Sequence, residues 1–407
     1  MKKGFAWMMA AILVCGSTVL SSCNGDDKLS SDVRIGVEPG FQETINSIMQ
    51  NVKTDMEAAD FKDLAPLAEA LKNCTAKVSC TGTDSTGVQE IIASLQTLLD
   101  SFFDSENPAT FGWSRNFSNL LKTLQMAVNV SMAFEKNVDN KYVGERNYSH
   151  SFDIVVNDTL TYNIAFGTEK NTGVSLEGID NAVHRRLIID RNGSTVLVVN
   201  TNQNLDASMN GYQINATQLG TSSLEYKDMK FSLECTQHNI DSVASNLVYS
   251  KGDSKVVDIS LKGENDLTLE KLLHHNAVFK GELEASISDG MLGLKSNIDN
   301  MNKFYMAGLG LAEIGIAGGS KEKCQEVTDA FNSVVNSKLL LFGSEFGLVT
   351  FKPLASDSVP DIYRPELILR QLPIDENSGE LVLKDFLAMM GLSFEDIINM
   401  LLGKDNE

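Results

Sequence analysis

The sequence predicts an α+β protein with an N-terminal helical region, an antiparallel β-sheet whose one apolar face is covered by helices, and short C-terminal helices. Apolar residues recur every three or four positions near the start of the chain, which indicates helices. From about Tyr142 they recur every second position, which indicates strands, and helical spacing returns near the end. An antiparallel sheet with one apolar face must be covered on that face.

Residues 39–136 are predicted to form the helical region. Pro39 precedes a segment in which Phe41, Ile45 and Val52 share one helical face. Further helices are predicted at residues 60–73, 88–103 and 117–134. Together these segments indicate a small bundle.

Residues 137–370 are predicted to be β-rich with intervening helices. The clearest hairpin surrounds Asn192 and Gly193, because this pair tolerates the positive φ angles of a tight turn. Other strands are predicted where apolar and polar residues alternate, at residues 152–156, 162–166, 187–190, 195–199, 229–235, 257–261, 279–287 and 292–294. Shorter strand-like runs follow at residues 338–342, 346–351 and 366–370.

Helical signals interrupt and follow this sheet. They lie at residues 267–275 and 321–336 and in the C-terminal tail, residues 371–407, where Ser393 and Asp396 form an N-terminal capping pattern. The glycine-rich run at residues 304–319 is interpreted as a close-packed or mobile connection, with a ligand-binding loop as the alternative.

The first 22 residues have the layout of a secretion signal. Lys2 and Lys3 supply positive charge, residues 5–14 an apolar stretch, and residues 16–22 the small side chains that a signal peptidase accepts. The apolar stretch is shorter than the roughly 20 residues that span a bilayer. We therefore expect cleavage rather than an uncleaved anchor helix.

Cys23 ends the run Leu-Ser-Ser-Cys, which resembles the lipobox of bacterial lipoproteins. The resemblance implies that the Cys23 sulfur is acylated, that the chain is cut before it, and that the lipid holds the protein at a membrane. Residues 23–38 would then be a polar tether.

Asp26, Asp27 and Lys28 follow the lipobox and resemble the acidic export signal of Bacteroidota lipoproteins. That resemblance implies an outer-membrane lipoprotein, with the outer and the periplasmic face left as alternatives. Both resemblances cover only the N-terminal segment, and no domain family is identified.

Four short triplets match the O-glycosylation pattern of the same bacterial group. An Asp-Ser turn is also ordinary loop chemistry, so both interpretations stay open. The hydroxyls concerned are those of Ser85, Thr159, Ser242 and Ser358.

Four cysteines remain once Cys15 leaves with the signal and Cys23 carries lipid. In an oxidising compartment the even number predicts disulfides, with Cys74 and Cys80 closing a small loop and Cys235 pairing with Cys324 over a long range. The competing interpretation is four buried free thiols.

The chain of 407 residues carries a formal net charge of −20. Loss of Lys2 and Lys3 with the signal takes this charge to −22. Such a chain repels nucleic acid and anionic lipid headgroups, so neither is expected as a partner. The hydrophobic content of 43% supports a packed core.

The sequence lacks the motifs of common catalytic sites. It contains no Gly-x-Ser-x-Gly, no His-Glu-x-x-His and no phosphate-binding loop. Its five histidines are scattered and no Cys-x-x-Cys occurs, so we expect neither a metal nor a cofactor.

Three functions are consistent with these patterns. The first is a non-catalytic binding or structural module at the outer membrane, with a protein, glycan or apolar ligand. The second is a carrier of a lipid or other apolar molecule between sheet and helices, for which the 15 methionines would supply a soft wall. The third is a hydrolase with dispersed acidic residues. A filled interface between sheet and helices would oppose the carrier.

Overall fold

The computed structural model describes residues 62–73, 75, 77–79, 85–100, 147–174, 178–210, 213–239, 242–265, 279–356, 359–372 and 379–389. The chain divides into two compact units. One is Met56–Lys255, and the other joins Met1–Asp55 to Val256–Glu407. In the described ranges the protein is α+β and consists mainly of antiparallel strands, as predicted.

The unit Met56–Lys255 contains two helices and a run of strands. The helices are α1 (Ala65–Lys72) and α2 (Ser85–Asp100). The strands are β1 (Lys77–Ser79), β2 (Asn147–Asn157), β3 (Leu160–Val174), β4 (Gly178–Arg191), β5 (Ser194–Asn210), β6 (Gln213–Tyr226), β7 (Met229–His238) and β8 (Ser242–Lys251).

Each of these strands pairs antiparallel with the next one along the chain. The turn between β4 and β5 holds Asn192 at φ 49° and Gly193 at φ 81°, which confirms the predicted hairpin. Strand β1 lies inside the range predicted to be helical, where it pairs with β2.

One face of this sheet is apolar along part of its length. Its central row is formed by residues that stand level with one another on β3 to β8, each at most 4% exposed. The row comprises Phe166, Leu187, Val199, Leu224, Phe231 and Tyr249. The next row along the same face begins with Thr168, Arg185 and Thr201, so the apolar face becomes polar within two residues.

The second unit contains the remaining elements. Its helices are α3 (Met301–Ala317), α4 (Lys321–Asn332) and α5 (Leu383–Met389). Its strands are β9 (Ser254–Asn265), whose first two residues precede the unit boundary, β10 (Phe279–Ile287), β11 (Leu292–Ile298), β12 (Val335–Leu341), β13 (Ser344–Ala355), β14 (Tyr363–Gln371) and β15 (Glu380–Val382). Consecutive strands again pair antiparallel.

Helices α3 and α4 pack against each other, and one buried cluster fills the space between them and the strands. The cluster comprises Ile298, Phe304, Leu311, Ile314, Cys324, Val327, Phe331 and Val334, with Phe351 of β13 and Tyr363 of β14 against it. The rings of Phe304, Phe331 and Phe351 lie in series, 5.6 and 5.2 Å between centroids. Aromatic contacts of this kind stabilise a core beyond the area they bury.

Two predicted elements are corrected by this unit. The glycine-rich run 304–319 is a helix rather than a connection, since Gly310 lies where α3 meets Val327 of α4 and the close approach offsets the low helix propensity of glycine. The helix predicted at residues 321–336 ends at Asn332, because Val335 already pairs with Ile298 in the sheet.

Several predicted elements lie outside the described residues. These are the helices at residues 41–52, 117–134 and 267–275 and the capped second helix of the tail. The first tail helix is present as α5.

Candidate functional site: a charged cluster and a helical groove

The structure describes only part of the residues singled out from the sequence. Cys23, Asp26, Asp27, Lys28, Cys74, Cys80 and Ser358 lie outside the described residues, and for Ser85 only the backbone, at the start of α2, is described. Thr159 is exposed in the turn between β2 and β3, where its backbone and hydroxyl both bond to Asn157 Oδ1 at 3.0 Å. Ser242 begins β8.

Cys235 and Cys324 are free thiols, so the predicted long-range pair is absent from the structure. Cys235 lies on β7 and is partly exposed. Cys324 is fully buried on α4 among the apolar side chains of the cluster described above, where burial raises the pKa of its thiol to about 11. Cys324 therefore matches the competing interpretation of a buried free thiol, whereas Cys235 is free but only partly buried.

A charged cluster forms where the chain enters α1. The Asp63 carboxylate lies 2.8 Å from Lys227 Nζ and also bonds to Arg191 Nη1. The Tyr226 hydroxyl donates to the same carboxylate at 3.3 Å, and the Tyr162 hydroxyl donates to the Asp63 main-chain carbonyl. The cluster thus joins the start of α1 to β3, β4 and the turn after β6.

The electrostatics of this cluster are mutually reinforcing. The hydrogen bond from Lys227 lowers the pKa of Asp63, and the same bond raises the pKa of Lys227. Burial raises the pKa of Tyr226 and takes that of Tyr162 to about 12. At neutral pH the carboxylate is ionised, paired with two cations and flanked by neutral phenols, so it is suited to holding α1 in place rather than to taking up a proton.

The second candidate site is an open groove of about 500 Å³ between α3 and α4. One wall is formed by Lys303, Met306, Ala307 and Gly310 of α3. The other is formed by Glu326, Val327 and Ala330 of α4, followed by Ser333 and Val334. Most of this surface is apolar, and its charged members are Lys303 and Glu326.

The groove is held open by fixed helix ends. Asn300 and Ser320 cap α3 and α4, accepting bonds from the backbone N–H groups of Lys303 and Lys323. Between the helices, Gly319 and Tyr363 exchange two backbone hydrogen bonds of 3.0 and 2.8 Å. These contacts fix the ends of the two helices that border the groove.

Helix α3 carries apolar residues on its outer side as well as on its core side. Met306 is 66% exposed, Leu309 43% and Ile316 59%, although large apolar side chains are usually buried. A helix that is apolar all round is normally enclosed by other parts of a protein. The outer side of α3 therefore has the character of a contact surface.

The charges near the groove differ in their pairing. Lys323 and Glu326 pair with each other on α4 at 3.2 Å. Lys303 and Glu313, both exposed on α3, have no ion-pair partner within the part of the chain that the structure describes. Their charges are available to a molecule that binds along α3.

Neither site was identifiable from sequence. Asp63 lies 163 positions from Tyr226 and one more from Lys227, and no local spacing relates them. The exposed apolar side of α3 has one signal in the sequence, the apolar residues on all sides of the run 304–319. The glycines of this run favour a connection instead of a helix, so the signal does not predict the surface.

Comparison with protein-family models, with curated proteins and with solved structures finds no match to this chain. No helix in the described ranges combines the length and apolar character needed to span a bilayer. Within those same ranges, His, Cys, Asp and Glu side chains form no group of three that could hold a metal ion.

Proposed function

We propose that this protein is a non-catalytic binding module of the cell envelope, held at the outer membrane by lipid on Cys23. We further propose that the groove between α3 and α4 binds an apolar helical segment of a protein partner. The observation that carries the proposal is the exposure of Met306, Leu309 and Ile316 along α3, beside the open groove.

A helical partner suits the shape of the groove. Two packed helices present a furrow along their shared length, and a third helix lies in such a furrow with side chains at three- and four-residue spacing. Met306, Leu309, Glu313 and Ile316 themselves follow that spacing. Lys303 and Glu326 of the groove lining would then meet polar groups on the bound helix.

The N-terminal segment supports the other part of the proposal, attachment to the outer membrane. The lipobox and the acidic residues after it support an outer-membrane attachment, and the net charge of −20 supports a body that stays in solvent beside the membrane. The polar tether, residues 23–38, would hold the groove away from the lipid surface. Export to the outer face is part of this proposal.

We also infer that helices cover the apolar face of the sheet in the unit Met56–Lys255. Leu64, Leu67 and Leu71 are buried along α1, and Leu95, Leu98 and Leu99 along α2. The charged cluster at Asp63 fixes the start of α1 beside the strands.

A carrier of an apolar molecule is less well supported. In the second unit the space between helices and strands is filled by the cluster around Phe304, Phe331 and Phe351. Since the groove opens to solvent, it would not shield a lipid chain from water as an enclosed cavity does.

Site-specific photo-crosslinking tests the binding surface. The photoreactive residue p-benzoylphenylalanine replaces Leu309 or Ile316 in the full-length chain, expressed in bacteria that process its anchor. The matched control carries it at Asp253, exposed in the turn after β8. We expect a protein adduct at both α3 positions and none at the control. Absence of adducts at Leu309 and Ile316, or adducts to lipid alone, would contradict the proposed function.

The anchor is tested by Cys23→Ser, which should move the protein from the membrane fraction to the soluble fraction. Protease treatment of intact cells then tests export, because a protein on the outer face should be digested together with a control surface protein. Retention of the Cys23→Ser variant in membranes would rule out lipid attachment at this residue.

A further inference from the structure

We infer that the partner of the groove is a second copy of this chain, with the two α3 helices packed antiparallel about a two-fold axis. The inference rests on the proposed function, because it names the occupant of the groove proposed above.

The first argument is the placement of charge along α3. Lys303 and Glu313 are ten residues apart, about 15 Å along a helix that rises about 1.5 Å per residue. Both are exposed, and neither forms an ion pair among the described residues. Gly308 lies midway between them.

Consider an antiparallel pair of α3 helices whose two-fold axis passes at the level of Gly308, a residue that itself faces the interior of the chain. Residues equally far from this level, on opposite sides of it, then stand beside each other. Lys303 of each copy then faces Glu313 of the other. Because a two-fold axis repeats every contact, one lysine and one glutamate give two ion pairs. A parallel pair would place like charges side by side.

The second argument is the fit of side chains in the same register. Met306 becomes level with Gly310 of the other copy. Met306 is the most exposed of the large apolar residues on α3, and Gly310 belongs to the groove lining, where it packs against Val327. Methionine is flexible and fills irregular gaps well. Each copy therefore supplies both an exposed methionine and the groove wall against which the methionine of the other copy packs.

A different protein would need only an apolar helix to occupy the groove. It would not require an exposed lysine and an exposed glutamate that face each other in an antiparallel pair of the same helix. This self-complementary placement of charge is what favours a second copy over another partner.

The small area of the proposed contact between the two α3 helices means that the dimer needs the lipid anchor to be well populated. Helix α3, with 17 residues, is about 25 Å long, and its side chains span about 10 Å. Its footprint of about 250 Å² falls below the roughly 800 Å² per partner of a standard stable interface. We expect a weak dimer in free solution and a populated one on the membrane, where the lipid confines both copies and raises their effective concentration.

The test uses the full-length anchored chain with p-benzoylphenylalanine at Leu309. We expect an adduct of twice the mass of the chain, containing peptides of this chain only. Lys303→Glu and Glu313→Lys should each lower its yield at least about five-fold, because each places two like-charged pairs in the contact. The double variant Lys303→Glu/Glu313→Lys exchanges the charges and should restore at least half of the yield.

Lys77→Glu on β1 is the matched control, since it makes the same charge change at an exposed site of the other unit and should leave the yield unchanged. Recovery in the double variant also shows that the substitutions do not unfold α3. An adduct with another protein would overturn the second-copy inference and leave the proposed function standing. A lack of adducts would overturn both, and a double variant without recovery would overturn the antiparallel register.

Discussion

Tyr162 on β3 donates a hydrogen bond to the main-chain carbonyl of Asp63, 99 residues earlier in the chain. The carboxylate of the same aspartate is paired with Lys227 and Arg191. One residue therefore ties the start of α1 to the sheet through both its main chain and its side chain. Helix α1 has only 8 residues, and isolated helices of this length are unstable. Its stability therefore depends on this contact with the sheet more than on its own hydrogen bonds.

Asp63→Ala should release α1 from the sheet. It removes the carboxylate that pairs with two cations and accepts from the Tyr226 hydroxyl, and we expect a loss of about 2 kcal/mol in the free energy of unfolding, moderated by the partial exposure of both cations. Hydrogen exchange measured by mass spectrometry should show faster exchange in peptides covering Ala65–Lys72. Asp253→Ala, in an exposed turn, serves as the control. Unchanged exchange in α1 would show that the cluster does not hold the helix.

Stability should fall in acid because of the same cluster. The pKa of Asp63 is lower in the folded chain than its ordinary value, so the ion pairs contribute fully above about pH 4. This contribution is lost as the pH falls through the lowered pKa and the carboxylate takes up a proton. Urea unfolding between pH 3 and 7 should be less pH-dependent in Asp63→Asn than in the natural chain. If the free energy of unfolding changed equally with pH in both proteins, the acid effect would not come from Asp63.

Stability should also fall in alkali. Burial raises the pKa of Tyr162 to about 12 in the folded chain, whereas an unfolded tyrosine ionises near 10. The folded state therefore holds the Tyr162 proton more tightly than the unfolded state does. The resulting gain in stability is present below pH 10 and is lost as the pH rises from about 10 to 12.

Tyr162→Phe tests the alkaline effect directly. The variant should be less stable at neutral pH by about 1 kcal/mol, because the Asp63 carbonyl loses a donor. It should also lose less stability than the natural chain between pH 10 and 12, as followed by urea unfolding at each pH. A parallel decline in both proteins would assign the alkaline effect to other groups, including Lys227.

Gly318→Ala should destabilise the end of α3. Gly318 adopts φ 71° and ψ 172°, a region that essentially only glycine occupies, and an added Cβ would collide with Ile362 Cγ2. We expect a loss of about 1–3 kcal/mol in the free energy of unfolding. Gly220→Ala is the matched control, since a Cβ there has ordinary room on β6. Equal stability of the two variants would contradict the strain.

The two described cysteines should react as thiols. In the natural chain at pH 8, Cys324 should resist iodoacetamide because it is buried and its pKa is raised, whereas Cys235 should react slowly. After denaturation without a reducing agent, both should become alkylated, as peptide mass spectrometry would show. A requirement for a reductant would establish the disulfide that the structure lacks.

The sequence allowed much of the fold to be predicted, but only where local patterns decide structure. The Asn192–Gly193 hairpin and the apolar strands β2, β3 and β7 were predicted because a turn or an alternating pattern determines them. Strand β6, with the sequence QINATQLGTSSLEY, was missed, since its polar residues give little alternation and pairing with β5 and β7 holds it in the sheet.

The candidate sites could be predicted less well than the fold. The glycines of α3 predicted a connection, whereas in the folded chain Gly310 allows α3 and α4 to approach closely and so forms the groove. Whether Met306 would be buried or exposed depends on which side of α3 faces α4. That orientation is set by tertiary packing around Leu311 and Phe331 and has no counterpart in local sequence.

The antiparallel order of the strands has a consequence for biogenesis. Within each unit every strand pairs with its neighbours along the chain, so most hairpins need only a short loop to close and the contact order of the sheet is low for a β protein. If the proposed signal exports the chain unfolded, most of the sheet can therefore form hairpin by hairpin as the chain emerges, whereas β1 has to wait for a distant partner, β2.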